Sequence, residues 1–185
     1  MCIALIRQKG KTMEQSYIDL GPSVAMSKEE MDSFLQQKLV ARFTSIRPDG
    51  YPYTTPLWYV WDGEALWFLL GAGAYPRQHL RNLRRNPKLC VVIDRDARPE
   101  HEGLFDAQGV VIRGTVELSI DEKLQEEITQ KAMRKYLGNE GEHYVDAVLQ
   151  DGKPGKNRVI AKVKPEHIFA WDFRKGQGTG GESTA

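Results

Sequence analysis

LVARFTSIRPDGYPYTTPLWYVWDGEALWFLL, residues 39–70, reads as three strands joined by two tight turns. Leu39 to Ile46 carries Val40, Phe43, Thr44 and Ile46, residue types that suit a pleated surface. In Arg47-Pro48-Asp49-Gly50 the proline presets φ and the glycine accepts a positive one, so the chain reverses there. Tyr51 to Trp61 is dense in aromatic and β-favouring residues and reads as one long strand. Asp62-Gly63 is a hairpin signal, and Ala65 to Leu70 is the return strand. Pro52 and Pro56 have no N–H to give a ladder. That puts them at a sheet edge, at a bulge, or where a ligand replaces a partner strand.

Working outward, a helix precedes this block. Ser27 and Glu30 have capping-box spacing, and Met31, Phe34 and Leu35 fall on one face. After the block, Gly71-Ala72-Gly73-Ala74 breaks the strand. Tyr75 to Arg85 then reads as a helix with Pro76 in its first turn, closed by Asn86-Pro87. Lys88 to Ile93 and Gly109 to Ser119 read as strands separated by a charged loop, and Asp121 to Leu137 reads as a helix with basic residues near its end. A polar stretch, a loop over 152–156 and two strands around Pro165, Arg158 to Lys164 and His167 to Phe173, complete the pattern. Residues 1–26 are expected as an arm, 27–174 as one domain, and 175–185 as a Gly-rich disordered tail. Sequential strands with tight turns predict a mainly β (α+β) fold. Its antiparallel sheet is expected to curl toward a barrel, with helices flanking it.

Composition sets limits. The chain has 185 residues, 41% hydrophobic and 28% charged, with a formal net charge of +1. This fits one globular domain with no global field toward nucleic acid or membrane. Single-stranded nucleic-acid binding is disfavoured for the same reason, since only one short basic run is present. Cys2 and Cys90 stand apart without a histidine cluster, which argues against a disulfide or a metal site and predicts a reduced, buried Cys90. No stretch has the length and apolarity of a membrane span, and the expected location is cytoplasmic.

Two segments carry candidate chemistry. From Arg77 to Lys88 stand Arg77, His79, Arg81, Arg84, Arg85 and Lys88, with no acid among them. A helix start offers free N–H groups and a positive dipole end, and Arg offers a planar fork for phosphate oxygens. Arg77 and His79 near that start are therefore the candidate anion residues, and both are expected at the surface. Gly71 and Gly73 lack the third glycine and the strand–helix–strand setting of a dinucleotide fold. The second segment, Thr54 to Tyr59, is an aromatic-rich strand whose prolines free part of an edge for a flat ring. Ordinary cross-strand packing of Trp58, Tyr59 and Trp61 is the competing explanation.

Residues from about 27 to 173 resemble the pyridoxamine 5'-phosphate oxidase-like superfamily of flavin-binding split β-barrels. The resemblance is carried by Ala41 to Ile46, Pro48 to Pro52, Thr55 to Tyr59, Leu66 to Phe68, Arg81 to Pro87, Ile112 to Glu117 and Phe169 to Phe173. It implies that the strand matching Thr55, Pro56, Leu57 and Trp58 runs along the isoalloxazine ring and that Leu69 and Leu70 border it. It also implies that the position of His79, seven residues before Asn86-Pro87, faces the 5'-phosphate with Arg77 and Gln78 beside it. FMN is the first expectation for the cofactor and coenzyme F420 the alternative. Val60 stands where the vitamin-oxidising members carry Lys, and their C-terminal substrate segment has no match, so vitamin oxidation is not expected.

The resemblance implies an oxidoreductase acting on a small organic substrate through its cofactor. The alternatives are an F420-dependent reductase and a non-catalytic flavin or haem module using His79 or His167. No side chain is singled out as catalytic. The resemblance also implies a homodimer, with Arg113 and Trp171 reaching the partner's site.

Overall fold

The computed structural model describes residues 5–6, 15–16, 24–71, 77–96, 106–150 and 158–175. Within the expected arm, β1 (Leu5–Ile6) and β2 (Gln15–Ser16) pair antiparallel. Met26 already belongs to the core, its N–H bonded to the Ala170 carbonyl. α1 (Lys28–Leu35) starts at the expected capping box: the Ser27 hydroxyl accepts from the Glu30 amide and the Glu30 carboxylate accepts from the Ser27 amide. Met31, Phe34 and Leu35 bury its apolar face.

The three strands of the opening stretch become four. β3 (Ala41–Ile46) runs antiparallel to β4 (Pro52–Leu57). The chain then corners at Trp58-Tyr59, and β5 (Val60–Trp61) pairs instead with β6 (Leu66–Gly71). With β7 (Lys88–Arg95), β8 (Gln108–Ser119) and β9 (Arg158–Asp172), the 7-stranded sheet has the order β4-β3-β7-β8-β9-β6-β5. Every pairing is antiparallel. The two end strands, β4 and β5, are neighbours in the chain. The sheet must therefore curl until its ends approach, which makes a split barrel.

Alternation along the strands fills the interior. Ala41 and Phe43 of β3, Leu66, Phe68 and Leu70 of β6, Val91 and Ile93 of β7 and Val110 and Ile112 of β8 are buried in one core with the α1 side chains. The Phe43 and Phe68 rings meet edge-on at 4.9 Å. Removing rings of this size from water stabilises the fold by about 2 kcal/mol each. A second cluster lies on the outer side of β5, β6 and β9. There α3 (Glu122–Leu137) and α4 (Val145–Gln150) lay Ile128, Ala132, Met133 and Val145 against Val60 and Ile160.

Several expectations change. The two strands around Pro165 are one, because a bulge absorbs the proline: Gly114 pairs with Pro165 and Arg113 with His167, leaving Glu166 without a counterpart. The polar stretch after α3 folds as a 3-10 segment, Gly138–Tyr144, followed by α4. The helix expected from Tyr75 is α2 (Gln78–Arg85); residues 72–76, the 152–156 loop and the tail beyond Lys175 lie outside the described residues. Cys90 is half-buried on the outer side of the sheet, not in the core.

At the bulge, a Cβ on Gly114 would stand 2.0 Å from the Lys164 carbonyl oxygen, which is backbone and cannot swing aside. Gly114→Ala is therefore expected to destabilise the protein by about 1–3 kcal/mol. Urea unfolding checks this as a lower midpoint with an unchanged slope.

Candidate functional site

The site begins with the corner. Trp58 stacks on Tyr136 of α3 at 4.5 Å with the ring planes 3° apart. The Tyr59 amide donates to the Tyr136 hydroxyl at 3.2 Å, and that hydroxyl donates to the Leu39 carbonyl at 2.7 Å. Burial pushes the Tyr136 hydroxyl up to about 12, partly offset by the Tyr59 amide, so it stays a donor. The neighbouring Lys135 places Nζ 3.5 Å from the Tyr59 ring centroid and donates to the Leu35 carbonyl, at the C-terminal end of α1. Two consecutive residues of α3 thus clamp the point where β4 turns into β5.

That corner leaves an opening. β4 pairs only with β3, and β5 covers only Leu66 and Trp67 of β6. The outer edge of β4 and, from Phe68 to Gly71, the edge of β6 opposite β9 therefore face the split with no strand partner among the described residues. In an antiparallel ladder alternate residues turn their backbone groups away from the neighbour. Pro52 and Pro56, lacking N–H groups, fit only those outward positions. The edge expected for the prolines is thus β4, and Thr54 is the in-strand residue whose N–H faces the slot.

The sequence-predicted residues distribute around this slot. Thr55 is the cross-strand neighbour of Phe43, and its buried Oγ1 has no hydrogen-bond partner. Pro56 is exposed, Leu57 packs against the core, and Trp58 is 43% exposed. Leu69 is half-buried on the outer side of β6. Leu70 is fully buried in the core, so only its backbone borders the slot.

At the head of α2, Arg77 is the N-cap and makes no side-chain cap bond. It is exposed, and its guanidinium has no hydrogen-bond or ion-pair partner among the described residues. Gln78 is committed locally: its amide donates to Asn82 Oδ1 at 2.7 Å and its oxygen accepts from Arg81. Asn82, buried, donates to Ser45 Oγ at 3.0 Å, which docks α2 onto β3. His79 corrects the expectation of a surface position. It is only 4% exposed, its ring lies edge-on to Phe43 at 6.3 Å, and its Nε2 has no partner. Burial first, and the Arg77 charge second, hold its pKa below the usual range, so it is neutral at pH 7.

Sequence reasoning missed Arg158. It is the register partner of Gly71 across β6 and β9. A Cβ on Gly71 would stand 3.7 Å from Arg77 Nε and 3.8 Å from Arg158 Nη1, so two guanidinium groups flank one bare glycine. Beside it lies a cleft of about 220 Å³ lined by Trp58, Trp67, Leu69, Met133, Val148 and Arg158, among others. The only signal for this was the strand register, which composition does not contain. Among the described residues, no group of His, Cys, Asp and Glu is placed to hold a metal, and no helix is long and apolar enough to cross a membrane.

The profile of the pyridoxamine 5'-phosphate oxidase family matches residues 27–172, the span of the barrel and its helices. The chain belongs to that family. Among solved structures, the oxidase-family chain is similar to a conserved hypothetical protein of Mycobacterium tuberculosis, with 24% identity, TM-score 0.69, and 89% and 98% of the two chains covered. It is similar to an F420 reductase, with 26% identity, TM-score 0.52, and 74% and 94% covered. It shares its fold with the haem storage protein HutZ of Vibrio cholerae, with 17% identity, TM-score 0.58, and 78% and 92% covered. No curated protein matches the chain.

The clamp has a pH signature. Burial pushes Lys135 down to about 7 from its ordinary 10.5. Between those values the unfolded chain binds the proton and the folded chain does not, so stability rises with pH across that window. Below about 7 both states are protonated and the slope vanishes. Lys135→Met is expected to flatten the rise between pH 7 and 10, by up to one proton in the slope, as read from urea unfolding across pH. An unchanged slope contradicts the burial of the ammonium.

Proposed function

We propose that the protein is an oxidoreductase that holds a flavin-type cofactor, FMN or the deazaflavin F420, in the split between β4 and β6. The observation that supports this most is Arg77, a guanidinium with no partner among the described residues, at a helix start without a side-chain cap and beside an open sheet edge. The first amides of α2 also lack intrahelical acceptors, and an anion satisfies both. FMN and F420 each join a phosphate to a flat ring system, which suits a slot with charge at one end and backbone edges along its length.

The residues fit such a group. Arg77 takes the phosphate. The Thr54 N–H and the carbonyls of Pro52, Thr54 and Pro56 meet the rim of a ring, and Leu57, Trp58 and Leu69 border it with apolar surface. When bound, the cofactor supplies the two-electron chemistry. The chain's part is orientation and exclusion of water: Trp58 is fixed by its stack on Tyr136, and neutral His79 backs the slot without adding charge. The similarity to an F420 reductase keeps F420 beside FMN in this reading. Haem fits less well, because the open nitrogen of His79 is buried against a macrocycle.

A second copy of the chain completes the site in this reading. On the outer side of the sheet, Val92, Val111 and Phe169 lie in register across β7, β8 and β9. Half-buried Cys90 and Trp171 extend that apolar stripe, and exposed Arg113 sits over Phe169 at 5.5 Å. Such a stripe suits a partner of the same shape, and sedimentation velocity is expected to report a dimer.

Purified protein is expected to release FMN or F420 on denaturation, identified by mass spectrometry. In apo protein, Arg77→Ala is expected to weaken the cofactor at least tenfold with the melting temperature unchanged. That loss corresponds to one charge-assisted contact of about 1.5 kcal/mol or more. His79→Ala is instead expected to cost about 1–3 kcal/mol of stability, since it empties a buried site. Undiminished affinity in Arg77→Ala refutes the phosphate assignment.

A further inference from the structure

Lys135 is the lysine of α3 that turns inward. It is half-buried, whereas Lys131, one turn earlier, is exposed and paired with Glu127 at 2.5 Å. Three groups face the Lys135 amine. The Tyr59 ring has its centroid 3.5 Å from Nζ, the Tyr136 ring has its centroid at 5.4 Å, and the Leu35 carbonyl accepts from Nζ at 2.8 Å. None of the three carries charge, because burial pushes both phenols above their ordinary range. Among the described residues no carboxylate pairs with Lys135. Acids on the elements around it are engaged elsewhere: Asp32 of α1 with Lys28 and Trp61, Glu127 with Lys131, and Glu142 of the 3-10 segment with Arg134.

An ammonium carries three N–H donors, and one acceptor is in place for them among the described residues. The two rings attract a cation, but no countercharge offsets its lost hydration. Such surroundings favour the neutral amine, in line with the lowered pKa of this group. A neutral amine has a free lone pair and is a nucleophile, whereas an ammonium is not.

We propose that Lys135 is a covalent modification site that takes small activated acyl groups, of the kind carried by an acyl phosphate. The lone pair of Nζ attacks the acyl carbon, a C–N bond forms, and the bond from that carbon to the phosphate oxygen breaks. Phosphate leaves with the electron pair, and the surplus proton of the amine passes to water. The product is an amide that no longer titrates and still offers one N–H to the Leu35 carbonyl. Modification therefore fixes the clamp at the β4–β5 corner in an uncharged form. The site does not depend on what the split holds.

The test treats the full chain at pH 7 with acetyl phosphate, to low conversion, and locates acetyl groups by peptide mass spectrometry. Lys135 is expected to react at least about tenfold faster than Lys131, the reference amine on the same helix. Its rate is expected to level off above about pH 8, while that of Lys131 climbs to about pH 10. In urea that unfolds the chain, the two rates are expected to converge. Lys135→Arg, which keeps a cation at this place, is expected to remove the fast phase of total incorporation. Lys135 reacting no faster than Lys131 in the folded chain, through shielding or through protonation, overturns the proposal. So does an advantage that persists in urea, or a fast phase that survives Lys135→Arg.

Discussion

The fold depends on how the chain passes from Leu57 to Val60. Those residues end one terminal strand of the sheet and begin the other, so the short corner between them fixes how far the sheet curls. An unclamped corner would let β4 and β5 drift apart as two ordinary edges, exposed to pairing with other chains. The stack of Trp58 on Tyr136, the hydrogen bonds through the Tyr136 hydroxyl and Lys135 Nζ over the Tyr59 ring hold it in place. Because β5 is only two residues long, the ends meet at the corner and part beyond it. The slot is the geometric remainder of that short strand.

The clamp is made at a cost that the fold tolerates for position. Lys135 loses hydration and Tyr59 keeps a buried hydroxyl with no partner, both unfavourable in isolation. In exchange α3 is anchored to the carbonyls of Leu35 and Leu39, linking α1, the start of β3 and the corner into one unit. The same helix carries Ala132 and Met133 into the neighbouring cleft. A single element therefore sets both the shape of the barrel's opening and one wall of the pocket beside it.

Local signals in the sequence were read well where the physics is local. The capping box at Ser27, the turn at Gly50 with its positive φ, and edge placement of Pro52 and Pro56 follow from backbone chemistry and appear as expected. The corner was not legible, because Tyr51 to Trp61 has uniform β character and nothing in its composition says that the partner strand changes after Leu57. Pro165 misled for the opposite reason: its usual effect is cancelled by Gly114 on the neighbouring strand. At the candidate site, Arg77 was singled out from its place near a helix start, whereas His79 looked like part of the same basic run until packing against Phe43 buried it. Arg158 was out of reach, since only the pairing of β6 with β9 brings it to Gly71.

The slot makes a residue-resolved demand on the backbone. Amide hydrogen exchange on the apo protein, with and without saturating FMN or F420, reads it directly. The N–H of Thr54 has no ladder partner among the described residues and should exchange fast. One of the two cofactors should protect it, together with free amides of β6 after Trp67 and the first amides of α2, while β7 and β8 stay unchanged. Fast exchange at Thr54 in the presence of both cofactors, with any protection confined to the outer side of the sheet, contradicts a ring held in the split.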